Sequence, residues 1–255
     1  MTNESNSAQQ RRTAIVTGAS RGLGAAIAKE LGATGMQVAV NYYQRRESAE
    51  ETCQDIRAAG GVADAFRADV RDENAVIGLV DSVRVRYGEV DCLVLNATGL
   101  QPMIPIERQT WQSYLDQLEF FVKSPLLLVQ QVLAGMKAKA FGRIIQIGSE
   151  VVELGNPNFS NYVAAKSAQL GQTRSWAREL APFGITVNLV APGWIPTERH
   201  TGATQQEMDA YAAGVPMRHM GNAEDVGKMV AYLCSDQARF ITGQKFAVNG
   251  GNTLL

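Results

Sequence analysis

Short β-rich runs alternate with longer helical segments along this chain, and few folds accommodate that order. We predict strands at 13–17, 37–42, 62–68, 92–95, 143–147, 185–190 and 245–248. Helices are predicted near 23–34, 48–59, 72–87, 110–140, 159–182 and 224–235. Several of the strands are apolar almost throughout, as strands covered on both faces must be. The alternation therefore predicts an α/β fold with a doubly wound, parallel seven-stranded sheet and helices on both faces.

The length and polarity of the chain predict its domain organisation. Its 255 residues fit one large α/β domain, or two small ones at most. Since no Pro-, Gly- or Ser-rich linker divides it, we predict a single domain over 13–255. Residues 1–12 are polar, so a flexible tail is expected rather than a secretory signal. The most apolar segment, 125–136, is shorter than the roughly 18 residues of a spanning helix. These features predict a soluble, cytoplasmic protein.

Charge and composition argue against two classes of partner. Lys plus Arg number 24 and Asp plus Glu number 25, so no basic excess favours nucleic acid. The three cysteines are far apart and form no C-x-x-C motif, which predicts reduced thiols. The only histidines are His200 and His219, both expected to be ordinary polar residues of loops. No metal site is therefore predicted.

A glycine-rich turn follows the first predicted strand and opens the first predicted helix. Gly18 allows a tight exit from the strand, and Gly22 lets the backbone approach a pyrophosphate without an intervening Cβ. Gly24 allows close packing of helix and sheet. The helix then offers free N–H groups and its positive dipole end to a phosphate. The turn therefore predicts a dinucleotide site.

Residues after the second strand indicate which dinucleotide is bound. A free ribose 2′-hydroxyl is usually held by an acidic side chain there, whereas a 2′-phosphate needs cations. No carboxylate follows that strand until Glu47, and Arg21 with Arg45 or Arg46 can clamp a phosphate. We therefore predict NADP(H), with NAD(H) as the less favoured alternative.

Three side chains form the predicted catalytic set. Tyr162 and Lys166 are four residues apart, which places them on one face of a helix. A free phenol has a pKa of about 10. A fixed ammonium beside it lowers that pKa, so the pair can act as general acid or base. Ser149 ends the fifth strand, and its hydroxyl can hydrogen-bond a substrate carbonyl.

The motif Thr17-Gly18-x-x-x-Gly22-x-Gly24, with the later Ser149, Tyr162 and Lys166, resembles the short-chain dehydrogenase/reductase family over residues 12–255. The resemblance implies a single-domain Rossmann fold and a nicotinamide ribose contact for Lys166. Together with the charges above, it predicts cofactor-binding roles for Gly18, Ser20, Arg21, Gly22, Leu23, Gly24, Asn41, Tyr42, Arg45, Asp69, Val70, Asn96, Ala97, Tyr162, Lys166, Pro192, Gly193, Ile195 and Thr197.

The chain departs from the family pattern at two places. It reads Asn96-Ala97-Thr98-Gly99 where relatives usually carry Asn-Asn-Ala-Gly. Phe121 stands where many relatives have an Asn that orders a water chain from the lysine to solvent. A phenyl ring makes no such hydrogen bonds. Three explanations stay open: another polar group such as Gln117 serves the relay, the alignment slips by a turn, or turnover is impaired.

Residues 194–215 form a candidate substrate lid, because the segment lacks strong periodicity until Gln205. Trp194, Met208 and Tyr211 would form its apolar wall. The alternative is that these three side chains pack into the core, and both interpretations stay open.

The predicted function is NADP(H)-dependent hydride transfer between a ketone and a secondary alcohol, similar to 3-oxoacyl-[acyl-carrier-protein] reductases. Two alternatives are an NAD(H)-dependent alcohol or sugar dehydrogenase of the same family and a non-catalytic dinucleotide-binding sensor. A DNA-binding regulator is remote, because no basic recognition helix is present. The family resemblance further implies a homotetramer that packs through 110–140, 159–182 and the C-terminal region.

Overall fold

A computed structural model describes residues 11–198 and 202–254. Seven parallel strands form one sheet in the order β3-β2-β1-β4-β5-β6-β7. The strands are β1 (Thr13–Val16), β2 (Gln37–Tyr42), β3 (Val62–Arg67), β4 (Cys92–Leu95), β5 (Gly142–Ile147), β6 (Ile185–Pro192) and β7 (Lys245–Val248). The predicted doubly wound parallel sheet is confirmed.

Helices cover both faces of this sheet. They are α1 (Gly22–Ala33), α2 (Arg46–Ala58), α3 (Glu73–Tyr87), α4 (Trp111–Leu118), α5 (Ser124–Lys139), α6 (Val151–Leu154), α7 (Ser160–Leu180), α8 (Gln205–Gly214) and α9 (Ala223–Cys234). Helices α1, α2 and α9 supply the core on one face, whereas α3, α5 and α7 supply the core on the other.

Successive residues of the central strands enter opposite cores. Val16 and Val94 pack with the first core, while their neighbours Ile15 and Leu93 pack with the second. A strand that is buried on both sides must be apolar at every position. Each fully buried aliphatic side chain stabilises the fold by about 1.5–3 kcal/mol. This double burial explains why the apolar runs of the sequence predicted the strands so closely.

The order of the strands creates a crevice at one edge of the sheet. Strand β1 lies between β2 and β4, so the chain builds outward to β3 and then crosses to the other side. In such sheets, ligands bind outside the carboxyl ends of the strands at this reversal. The loops after β1, β4, β5 and β6 therefore meet at a single edge.

The predicted helix over 110–140 is not α-helical throughout. A π-helical segment, Glu119–Lys123, separates α4 from α5. The helical stretch predicted near 110–140 is therefore present as the continuous segment Trp111–Lys139, but its π-helical part was not predicted. Helix α8 was also not predicted, since none of its residues is buried and it therefore has no apolar period.

The combined segment Trp111–Lys139 spans 29 residues and is longer than the apolar stretch considered above. Its length and the apolar character of its most apolar 18-residue window would suffice for a membrane-spanning helix. However, 44% of its most apolar window is buried inside the protein, where Leu128, Val132 and Met136 pack with the second core. Core helices of soluble proteins meet the same criteria, so this segment is weak support for a membrane span.

Candidate active site

The glycine turn joins β1 to an open helix N-terminus. Gly18 and Gly22 have φ values of 61° and 56°, a left-handed region that favours glycine. Helix α1 begins at Gly22, and no side chain caps its first turn. Its N–H groups therefore remain available to a phosphate. A Cβ on Gly24 would lie 2.4 Å from the carbonyl oxygen of Gly18, so this glycine lets α1 pack against the turn itself.

Hydrogen bonds from β4 brace the turn. The Thr17 hydroxyl accepts the backbone N–H groups of Asn96 and Ala97 at 2.9 and 3.0 Å. The Asn96 side chain donates to the carbonyl oxygens of Thr17 and Gly18 at 2.9 and 3.2 Å. A Cβ on Gly18 would lie only 2.9 Å from Ala97 Cα. Asn96 and Ala97 therefore shape the floor of the predicted cofactor site.

Asn41 braces the same turn from β2. Its Oδ1 accepts the Gly18 N–H at 3.2 Å, and its amide donates to the carbonyl oxygens of Phe66 and Ala68. Asn41 and Tyr42 are both buried. Asn41 was predicted to contact the cofactor, but its side chain is engaged in holding three strand ends together.

A depression of about 390 Å³ lies beyond β2 and β3. Asp69 lines it and accepts a forked pair of hydrogen bonds from Arg71 at 3.0 and 2.7 Å. These hydrogen bonds hold the pKa of Asp69 below its usual value, so the carboxylate is an available acceptor for an amino group. Its predicted companion Val70 is buried in the second core.

Cations surround the end of β2. Arg21 is half-buried immediately before α1, and Arg45 is exposed immediately before α2. Arg67 ends β3 beside Tyr42, and its guanidinium donates to the Tyr43 carbonyl. Sequence reasoning missed Arg67, although the register of two adjacent predicted strands would have placed it there. The remaining predicted residues of the turn, Ser20 and Leu23, are half-buried beside it.

Tyr162 and Lys166 lie side by side at the carboxyl end of β5, where the Lys166 nitrogen stands 5.6 Å from the centre of the Tyr162 ring. Ser149 follows the last residue of that strand by two positions. Tyr162 and Lys166 lie in the first two turns of α7, and both are buried. The Lys166 ammonium donates to the carbonyl oxygen of Ile147 at 2.7 Å. Since Ile147 ends β5, this hydrogen bond holds the ammonium beneath the loop that carries Ser149.

Phe121 lies directly against this set. Its buried ring contacts Tyr162 edge-to-face at a centroid distance of 5.5 Å. The Lys166 nitrogen stands 3.7 Å from the centre of the Phe121 ring, which is the geometry of a cation–π contact. Phe121 is therefore in direct contact with both the predicted phenol and the predicted ammonium.

A polar group missed by sequence reasoning also contacts the lysine. Gln169 Oε1 accepts a hydrogen bond from Lys166 at 3.0 Å, and Gln169 is buried. The i, i+3 spacing from Lys166 was the available signal. Gln117, the group considered before, instead donates to the Leu100 carbonyl at 2.9 Å.

The segment after β6 closes the site. Gly193 donates its N–H to the Val248 carbonyl at 3.0 Å, and Ile195 is buried in the first core. A Cβ on Gly22 would lie 3.4 Å from Thr197 Cβ, so this segment reaches back to the glycine turn. Pro192, the last residue of β6, accepts the N–H of Glu150 at 3.1 Å. The predicted phosphate-binding and nicotinamide-binding residues therefore converge.

The candidate lid residues Trp194, Met208 and Tyr211 are all half-buried. None of the three belongs to either of the two cores that cover the sheet. Trp194 and Tyr211 pack edge-to-face at 5.4 Å.

In the described part of the chain, no cluster of three or more His, Cys, Asp or Glu side chains could hold a metal ion. His219 is exposed, and its ring is hydrogen-bonded to the Met220 carbonyl. His200 and the first ten residues of the predicted tail lie outside the described residues.

Comparisons with known proteins cover nearly the whole chain. The family model described as Enoyl-(Acyl carrier protein) reductase matches residues 18–253. The 3-oxoacyl-[acyl-carrier-protein] reductase of Staphylococcus aureus is 38% identical over 240 residues, which are 94% of this chain and 97% of that protein. The enzyme of the same name from Escherichia coli is 38% identical over 240 residues, or 94% and 96% of the two chains.

Two solved structures are similar throughout. A blue fluorescent protein from a metagenomic library, in complex with NADPH, matches with a TM-score of 0.86 and 35% identity, over 95% of this chain and 98% of that one. A phenylalanine-to-leucine double mutant of a Serratia marcescens short-chain dehydrogenase/reductase matches with a TM-score of 0.88 and 33% identity, over 96% and 99%.

The packing of Phe121 predicts a large effect of its removal on stability. We expect Phe121→Ala to lower the free energy of unfolding by about 3–5 kcal/mol, because it opens a cavity between Tyr162 and Lys166. Phe240, which is almost fully exposed, provides the control, and Phe240→Ala should change it by less than about 0.5 kcal/mol. Urea denaturation measures both, and equal effects of the two substitutions would contradict the packing role.

Proposed function

The chain belongs to the short-chain dehydrogenase/reductase family, and from this membership we propose that Ser149, Tyr162 and Lys166 are its catalytic residues. The protein is an NADP(H)-dependent oxidoreductase that transfers a hydride between nicotinamide and a ketone or secondary alcohol. Its substrate is a small molecule. The Lys166 hydrogen bond to Ile147 is the observation that supports the proposed roles most directly, because it brings the ammonium to the strand end that leads to Ser149.

The residues at the glycine turn fit a dinucleotide. A Cβ at Gly18 would clash with Ala97, and a Cβ at Gly22 would fill the space between the glycine turn and Thr197. The two glycines therefore keep this space free for the cofactor. The uncapped N-terminus of α1 suits the pyrophosphate, and Arg21, Arg45 and Arg67 suit a 2′-phosphate. When bound, the reduced nicotinamide supplies the hydride.

Side chains of the protein orient the ketone and donate the proton. Ser149 donates a hydrogen bond to the ketone oxygen and holds it beside the phenol of Tyr162. Tyr162 transfers its proton to that oxygen as the oxygen gains negative charge. The neighbouring Lys166 ammonium favours the phenolate that remains. In the reverse direction, Tyr162 takes the proton back from the alcohol.

We further propose that the protein is a cytoplasmic homotetramer. The helix pair α4–α5 exposes Trp111 and Leu126, and a second apolar surface beside β7 exposes Met217 and Tyr232. Large exposed apolar surfaces commonly mark interfaces between subunits. The three cysteines are free and buried, as expected in a reducing compartment.

Tyr162→Phe tests the proposed reaction. We expect kcat for ketone reduction to fall by about 10²–10⁴-fold, because phenylalanine has no proton to transfer. Binding of NADPH should persist, since the glycine turn is untouched. The loss of reduced-nicotinamide absorbance measures turnover over a panel of ketones and β-ketoesters. Tyr87→Phe, which removes the hydroxyl of another buried tyrosine at the end of α3, is the matched control. A Tyr162→Phe kcat equal to that of the control would contradict the proposed role of Tyr162 as proton donor.

The arginine cluster predicts cofactor preference. We expect Arg21→Ala and Arg45→Ala each to reduce the preference for NADPH over NADH by about tenfold, the loss of one charge-assisted hydrogen bond. The ratio of kcat/KM values with the two cofactors is the measurement. Arg174→Ala removes an exposed charge on α7 and should leave the ratio unchanged. Ratios that stay constant in both test variants would argue for a different phosphate site.

The exposed face of α5 predicts a substitution that should dissociate the tetramer. We expect Leu126→Lys to convert tetramers to smaller species, because it would bury a charge between subunits. Light scattering coupled to size exclusion gives the mass directly. Val85→Lys on α3 changes a still more exposed residue outside this face and should keep the tetramer. A monomeric parent protein would refute the proposed assembly.

A further inference from the structure

Glu150, the residue after Ser149, is a buried carboxylate whose role the proposed reaction does not explain. It is only 4% exposed. The Tyr211 hydroxyl donates to its Oε1 at 2.6 Å, and the side-chain amides of Asn249 and Asn252 donate to its Oε2 at 3.0 and 3.1 Å. Among the described residues, no Lys or Arg forms an ion pair with it. Hydrogen bonds alone therefore offset the cost of removing this carboxylate from water.

These hydrogen bonds hold Glu150 in one place. A buried carboxylate that loses a donor is left poorly solvated, so its partners are strongly retained. Burial, and then the hydrogen bond to Glu150, raise the pKa of Tyr211 well above its ordinary value. The hydroxyl therefore keeps its proton and remains a donor over the whole neutral range.

The same hydroxyl reaches the backbone after β6. It accepts the N–H of Trp194 at 2.9 Å. A Cβ on Gly193 would lie 2.6 Å from it, so the oxygen rests directly on this turn. The backbone N–H of Glu150 meanwhile donates to the Pro192 carbonyl at 3.1 Å. Glu150 thus contacts the turn twice, once through its main chain and once through Tyr211.

Apart from Tyr211, the described side-chain hydrogen bonds of helix α8 are local, including that from Arg218 to the Ala213 carbonyl. None of its residues is buried. Its described side-chain hydrogen bonds at Gln205 and Glu207 stay within the helix and its cap. Tyr211, by contrast, links α8 to both the Ser149 loop and the turn at Trp194.

We propose that Glu150 is a positioning residue that, through the Tyr211 hydroxyl, fixes the Gly193–Trp194 backbone relative to Ser149. This inference rests on the proposed function, in which Ser149 holds the ketone and the segment after β6 holds the nicotinamide. The carboxylate then sets the distance between the two reacting partners without touching either. A displacement of about 1 Å in such a geometry can cost up to about 100-fold in rate.

Tyr211→Phe is the direct test, because it removes the hydroxyl but keeps the ring against Trp194. We expect kcat to fall by about 10–100-fold, with the KM for the ketone and the Kd for NADPH changed by less than about threefold. The isotope effect with nicotinamide deuterated at the transferred position should rise, since hydride transfer becomes slower. Tyr87→Phe is the matched control, since Tyr87 is also buried and donates to a carboxylate, Asp64, at 2.8 Å.

Glu150→Gln provides the second variant. The amide can still accept from the two asparagines, but its other end can no longer accept the Tyr211 proton. We expect a kcat loss of similar size, and the double variant with Tyr211→Phe should lose no more than the worse single variant. Losses that multiply would show that the two residues act separately and would overturn the proposal.

Three results would overturn the positioning role. One is a Tyr211→Phe kcat equal to that of Tyr87→Phe, and another is an effect confined to thermal stability. The third is an unchanged emission spectrum of bound NADPH in Tyr211→Phe. This last readout reports the surroundings of the nicotinamide without turnover. A parent protein that binds NADPH but reduces no ketone would count against the proposed function, while the emission spectra would still decide the role of Glu150.

Discussion

The parallel register of the sheet is the constraint on which the site depends. Because every strand runs in the same direction, the segments after β1, β4, β5 and β6 emerge at one edge. Gly18 and Gly193 are far apart in the sequence, yet this geometry brings their loops to the same cleft. The helices that connect its parallel strands cover the sheet with two apolar cores, and each central strand contributes alternate residues to both.

Much of this architecture could be predicted from the sequence because double burial leaves a strong apolar signal. The predicted bounds of β2, β4 and β7 match the observed bounds. Helices with one buried face were found for the same reason. The π-helical segment Glu119–Lys123 was missed because Phe121 is its only buried residue, and the surface helix α8 was missed because none of its residues is buried. Such elements are set by hydrogen bonding that composition does not reveal.

The residues of the candidate site also fall into those that could be predicted from the sequence and those that could not. The placement of Ser149 beyond a strand end and of Tyr162 and Lys166 on one helix could be predicted, because it follows from spacing along the chain. Gln169, Arg67 and Glu150 were not predicted, since their importance comes from partners in other segments. The Phe121 position shows the intermediate case: the residue was noticed as a departure, but only the structure shows its ring against the Lys166 ammonium.

The donors around Glu150 come from two separate parts of the chain, helix α8 and the turn after β7, and this has a consequence for protein engineering. Tyr211, Asn249 and Asn252 together donate hydrogen bonds to the buried Glu150 carboxylate. This carboxylate has no ion-pair partner among the described residues. Positions 150, 211, 249 and 252 are therefore energetically coupled, and one-at-a-time mutational scans should score each as intolerant. Mutant libraries aimed at α8 should therefore randomise these four positions jointly. A set of apolar residues that replaces the carboxylate and its donors at once leaves no buried polar group without a partner, whereas a partial replacement does.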